Sequence, residues 1–264
     1  MINIENFRSQ ISNWFFPASN PVLEINEQNL CALEATLNTG FNPDTILPNG
    51  RTLLTQVFYR IREPLVRVEF LKIILNKSAN PNIPDQYGQY PLLLEVQECK
   101  ANTNFDCISI LVENGADVNI ENGRALAITV RSSFWRGDTT MYLLSAGADP
   151  NIQNLGVMTP FSWTALWYQL AGEQAEEQAG GAYTNILNAM LEVGANIHQP
   201  CDNTGKTLLT IADQRNDLSL VKKIISLDTD GTAKQNTINY FNNYGIVPNF
   251  PDYFITRSKS AIDQ

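Results

Sequence analysis

The segment HQPCDNTG places an imidazole, a thiol and a carboxylate, His198, Cys201 and Asp202, within five positions. These are the residue types of a nucleophile, its base and a group that orients the base. The chain has one histidine, so any Cys-His or Ser-His pair must use it. A metal site built from that histidine and the scattered Cys31, Cys99, Cys107 and Cys201 has no ligand spacing to recommend it. There is no phosphate-cradling glycine run: Gly180-Gly181 follows an acidic stretch, and Glu176-Glu177 in that stretch read as solvating charge. The expectation is therefore no catalytic, cofactor-binding or metal residues, and no enzyme.

A recurring segment gives those three residues another explanation. LVENGADVN (111–119) is repeated in variant form as LNTGFNPD (37–44), LNKSANPN (75–82), LSAGADPN (144–151) and LEVGANIH (191–198). The anchors Gly40, Ser78, Gly115, Gly147 and Gly194 are spaced by 38, 37, 32 and 47 residues. His198 then stands where other copies carry Asn, and Cys201 and Asp202 fall in the loop that follows. Each copy has one grammar. A segment of helical period ends on a glycine suited to a left-handed helix stop. A short polar run leads to a second glycine, Gly50, Gly88, Gly123, Gly156 or Gly205, which permits a tight hairpin finger. A Thr-led or Pro-led segment, such as RTLLTQV or MTPFSWTAL, then starts a new helix.

Taken together, Gly-Ala-Asp-x-Asn, the turn glycine and the Thr-Pro-Leu-like starts resemble the ankyrin repeat over about residues 20 to 227. The consensus histidine after Thr-Pro-Leu is missing, replaced by Thr55, Leu93, Ala127, Ser162 and Thr210. The resemblance implies an all-α ankyrin-repeat solenoid of helix-turn-helix units with β-hairpin fingers, about five to six repeats plus helical caps. One domain over 1–264 is expected. Its parts are an amino-terminal cap and first helix pair at 1–39 (helices at 3–16 and 26–38), core repeats at 40–227, and a cap and tail at 228–264, with a helix and Pro-Asn over 236–250. The insertion at 172–182 reads as a mobile acidic loop.

Stacking commits most large side chains to neighbouring repeats, which leaves the finger tips and first helices. By resemblance, the binding face there is expected to include Arg51, Tyr59, Arg60, Tyr87, Gln89, Arg124, Arg131, Met158, Trp167, Lys206 and Arg215. Six of these are among the chain's eighteen basic residues. Arginine forks suit carboxylates, so the implied partner is a protein or peptide, with an acidic one favoured. Alternative readings are a bacterial effector delivered into a eukaryotic cell, or a substrate-presenting ankyrin protein. In the latter, Asn119 and Asn151, eight residues after Leu111 and Leu143, would be hydroxylated.

Composition narrows the setting. The 264 residues are 44% hydrophobic, enough for a core. A net charge of -9 and a pI near 4.7 oppose binding to nucleic acid or an anionic membrane. No segment reaches the roughly 18 apolar residues of a membrane span, and MINIENFRSQISNWFFP lacks the pattern of a secretory signal. A cytoplasmic monomer is expected, with free cysteines; secretion into a host is the alternative.

Overall fold

The computed structural model describes residues 27–98, 105–131, 137–153, 158–178 and 181–254, with side chains except at 27–32 and 172–178. The helix expected over 3–16, Cys99, Gly156 and the tail from 255 lie outside these residues, as does the Cys31 side chain. Among the described residues there are helices and no strands. The chain divides into two compact units, residues 1–148 and 149–264.

The first unit contains α1 (Glu27–Asn38), α2 (Leu53–Arg60), α3 (Pro64–Asn76), α4 (Pro91–Glu98), α5 (Phe105–Glu113), α6 (Ile120–Arg131) and α7 (Gly137–Ser145). Helices α2, α4 and α6 pack in one row, α1, α3 and α5 in a second, and α2–α3, α4–α5 and α6–α7 pair across the rows. Leu53, Phe70, Leu71 and Ile74 of the first complete pair are buried, as are Leu92, Leu93, Ile108 and Leu111 of the next. Burying each such side chain contributes roughly 1.5–3 kcal/mol.

The second unit holds α8 (Pro160–Gln178), α9 (Ala182–Glu192), α10 (Leu208–Gln214), α11 (Leu218–Leu227), α12 (Thr232–Tyr244) and α13 (Pro251–Phe254). Here α8, α10 and α12 form the first-helix row, with α9 and α11 paired to α8 and α10. Phe161, Leu187, Met190, Leu208, Ile211 and Ile224 fill the interior.

Three of the consensus departures, Thr55, Ser162 and Thr210, sit in hydroxyl-capped helix starts. Thr52 Oγ1 accepts from Thr55 N and Thr55 Oγ1 accepts from Thr52 N, each at 3.1 Å, a reciprocal cap that starts α2. Thr159 with Ser162 and Thr207 with Thr210 place the same cap hydroxyl on the same backbone N–H. A hydroxyl in the histidine's place thus serves the helix start. Thr207 and Thr210 go further and meet Thr237 of α12 at 3.1 and 3.4 Å, which ties the last two first helices together.

Two sequence expectations need correction. The fingers are tight turns, not strand-paired hairpins. Each full finger is closed by short backbone bonds, such as Leu47 N to Arg51 O (2.8 Å) and Asp85 N to Gln89 O (3.0 Å). Their arms are too short for a ladder, and after Asn119 three left-handed residues, Glu121, Asn122 and Gly123, replace the finger entirely. The acidic loop expected over 172–182 is helical as far as Gln178, because Glu, Gln and Ala are good helix formers; α9 starts after the left-handed Gly181.

The recurring Gly-Ala-Asx-x-Asn closes one repeat and stitches it to the next. Gly115 N bonds Val112 O and Ala116 N bonds Leu111 O, both at 2.9 Å, ending α5 with Gly115 at φ +88°. Asp117 Oδ1 accepts from Asn119 N, holding its own turn. The last Asn reaches into the following copy: Asn82 Nδ2 donates to Gly115 O and its Oδ1 accepts from Asp117 N, both at 2.8 Å. Asn119 donates to Gly147 O, and in the second unit Asn151 donates to Gly194 O and accepts from Asn196 N.

Asn82→Ala removes both bridges of one stitch, and a loss of about 1–2 kcal/mol in urea unfolding is expected. Ser78, at φ +61°, occupies the glycine position without being glycine. Ser78→Gly is expected to raise stability by about 1 kcal/mol in the same measurement, because the left-handed conformation is costly for a residue with a Cβ.

Candidate functional site

In the first unit, three of the residues expected on the binding face, Tyr59, Tyr87 and Gln89, lie around Arg51. Its guanidinium carbon lies 3.5 Å from the centroid of the Tyr59 ring and 5.9 Å from that of Tyr87. Arg51 leaves the first full finger, Tyr59 stands in the last turn of α2, and Tyr87 is at the tip of the next finger. Asn49 Oδ1 accepts from Arg51 N, and Tyr87 OH donates to Asn49 O at 3.3 Å. Asp85 Oδ1 accepts from the backbone of Tyr87 and of Gln89, and Gln89 Nε2 donates to Tyr87 O. Both rings stay exposed, 39% for Tyr59 and 59% for Tyr87. Arg51 makes no ion pair among the described residues, and its Nε is buried without an acceptor. This is a fixed cation whose hydrogen-bonding capacity is unspent.

The other basic residues of that unit have different settings. Arg124 pairs with Glu121 at 2.6 Å, both partly exposed, a contact of small worth in water. Arg60 is half-buried at the end of α2, and Arg131 is exposed at the end of α6. Arg67, absent from the expected face, is almost wholly buried, and it holds Glu95 Oε2 at 2.5 Å, Glu98 Oε2 at 3.1 Å and the Ile61 carbonyl. A glutamate inside the apolar run PLLLEVQE was the available signal for this buried pair, since a charge there must find a partner.

The second unit spends its cations more locally. The Arg215 guanidinium lies 4.1 Å from the Tyr168 ring centroid and donates to the Tyr168 carbonyl. Tyr168 OH in turn donates to Asp217 Oδ2 at 2.7 Å, and Asp217 caps α11. Burial first, then the Asp217 bond, pushes the Tyr168 phenol well above its ordinary range. Lys206 Nζ stands 5.9 Å from the Tyr240 centroid. Met158 and Trp167 are half-buried, and Trp167 Nε1 finds no acceptor among the described residues. Asp213, 1% exposed, was also not anticipated; its carboxylate accepts from Asn249 N and Phe250 N and so docks the segment after α12.

His198, Cys201 and Asp202 are parts of a finger. Asp202 Oδ1 accepts from Thr204 N, Thr204 Oγ1 and Lys206 N. Burial acts to raise the Asp202 carboxyl, but the Thr204 hydroxyl, these backbone donors and the Lys206 charge outweigh it and hold it below its usual value. Cys201 is buried, and burial, with the Asp202 charge beside it, pushes its thiol up to about 12. It supplies almost no thiolate near neutral pH. His198 lies instead near Asp228 and Asp230, with one ligand-type atom of each within 4.8 Å of the others. Both Asp228 oxygens accept backbone N–H groups of Ala233 and Lys234, and Asp230 accepts from Thr232, so these carboxylates are explained as caps of α12.

No protein-family model matches the chain, and no curated protein matches it. Solved structures do. The protein EF0377, described as an ankyrin repeat protein, superposes with a TM-score of 0.51 at 20% identity, covering 81% of this chain and 96% of that one. The fold is that of the ankyrin repeat. The ankyrin repeat domain of Bcl-3, described as a member of the IkappaB family, aligns at 20% identity over 82% of this chain and 94% of that one, with a TM-score of 0.49.

Alkylation by iodoacetamide at pH 8, read by peptide mass spectrometry, tests the Cys201 environment. In the folded protein its modification is expected to be on the order of a thousandfold slower than that of free cysteine, which is half-ionised near 8.5. Urea should abolish the difference.

Proposed function

We propose that the chain is a protein-protein interaction module that captures a protein or peptide partner on its finger and first-helix surface, with an acidic partner engaging the first unit. The observation that carries this reading is Arg51, held over Tyr59 beside the exposed Tyr87 with no carboxylate partner among the described residues. Arginine and tyrosine dominate interface hot spots, because a guanidinium pre-placed on a ring loses little freedom on binding and its fork matches a carboxylate. Arg60, Gln89, Arg124 and Arg131 extend the same face in this proposal, and Met158, Trp167, Lys206 and Arg215 are the corresponding residues of the second unit. The buried thiol at Cys201 and the structural duty of Asp202 further support binding in place of catalysis.

Hydroxylation is the less supported use of the same fingers. Asn119 and Asn151 each spend their amide on a glycine carbonyl of the next copy, so an enzyme would have to open that stitch.

Arg51→Glu is the decisive variant. Capture of acidic partners from a native cytosol, quantified by mass spectrometry against the unaltered protein, is expected to fall at least tenfold, steeply with added salt, while circular dichroism stays unchanged. Equal capture by both proteins would remove the reading.

A further inference from the structure

Helix α12 takes the place of a first helix, packing on α10, yet it is reached through the short turn 228–231 and not through a finger. The surface that a finger would flank is therefore left open. Between α12 and the finger at 198–207 lies a groove of about 360 Å³. Its lining includes Asn236, Asn239 and Asn243 of α12, the Tyr240 and Tyr244 rings, and Thr204. Among the described residues no Asp, Glu, Lys or Arg lines it, although the chain carries 27 acidic residues; His198 lines it too, with Pro200 and Thr207.

The three asparagines occupy positions i, i+3 and i+7, one stripe of the helix. All three are exposed. The Asn236 and Asn243 side chains make no hydrogen bond among the described residues, and Asn239 uses only its oxygen, accepting from Gln235 Nε2 at 3.0 Å. Each free amide offers a donor and an acceptor together, the complement of a peptide group. Beside them the Tyr240 and Tyr244 rings sit 4.6 Å apart at a tilt of 38°, with Tyr244 54% exposed, and make an apolar wall.

Length decides what fits. Asn236 and Asn243, seven positions apart, lie about 10 Å from each other along the helix. Three residues of an extended polyproline-type segment span about 9 Å, and such a segment leaves its backbone groups unpaired. With no Asp, Glu, Lys or Arg in the lining among the described residues, an uncharged segment matches it better than the acidic partner proposed for the first unit.

We propose that this groove binds three consecutive residues of an extended, uncharged peptide, whose main-chain amides bond the Asn236 and Asn243 side chains while an aliphatic or proline side chain rests on Tyr240 and Tyr244. The inference rests on the reading of the chain as a protein-binding module and names what this part of it takes.

The test is selection from a displayed random dodecapeptide library on the full chain, with the Asn236→Ala/Asn243→Ala double variant and Arg51→Glu as parallel baits. Both asparagines are exposed on a helix, so unchanged thermal unfolding of the double variant is the folding control. The expected result is a three-residue uncharged motif containing proline or an aliphatic residue. A capped peptide of that motif should bind the unaltered protein and Arg51→Glu equally, and the double variant about tenfold more weakly. Absence of an enriched motif, an acidic motif, or equal binding to the double variant would overturn the proposal. So would chemical shift changes at the groove asparagines on adding chitotriose, with none on adding the capped peptide. Loss of all binding in Arg51→Glu alone would overturn the groove while leaving the Arg51 reading in place; the expected result here stands even if the Arg51 reading fails.

Discussion

A helix pair of seven to nineteen residues a side has more apolar surface than it can fold onto itself, and only another pair can cover it. Every other feature of this protein answers to that constraint. Neighbouring pairs must arrive at a fixed distance and in a fixed rotation, although some 35 residues of chain separate them. Asn82 and Asn151 meet the requirement at the fingers, where one amide takes a carbonyl and an N–H of the next copy at once. At the last helix starts Thr207 and Thr210 do so through their hydroxyls, which meet Thr237.

Buried charge adds a second kind of tie between helices. Arg67 sits under the junction of α2, α3 and α4 and holds the carbonyl that ends α2 together with two glutamates of α4. Asp213 holds the backbone that follows α12, and Phe254 packs edge-on against Phe241 beyond it. Such groups demand exact partners, since a buried ion without one is costly, so they select a single arrangement of the helices that share them. At the position where other copies carry the stitching asparagine, His198 faces a carboxylate-capped turn in place of another finger.

What remains for function is the side chains that stacking does not consume. The two units leave different remainders. In the first, a guanidinium lies on exposed tyrosines and makes no ion pair among the described residues. In the second, Arg215 is spent on Tyr168, and the groove beside α12 is lined by asparagine amides, tyrosine rings and His198, with no Asp, Glu, Lys or Arg among the described residues. Surfaces of such unlike chemistry suit unlike partners.

From sequence alone the repeat, its helix stops and the order of its parts were legible, because glycine at positive φ, proline at a helix start and threonine at a cap act within a few residues of themselves. The grouping of Arg51 with Tyr59 was within reach for the same reason, eight residues apart on one finger and its helix. The fate of Arg215, the burial of Arg67 and Asp213, and the groove beside α12 were not, since each depends on groups 28 to 49 residues away that only packing brings near. The helical run to Gln178 was legible in principle, but low apolarity and a glycine pair outweighed the helix propensity of its Glu, Gln and Ala. Local stereochemistry wrote the repeat into the chain; which charges stayed on the surface was decided by tertiary contact, because a side chain's partner is a property of its neighbours in space.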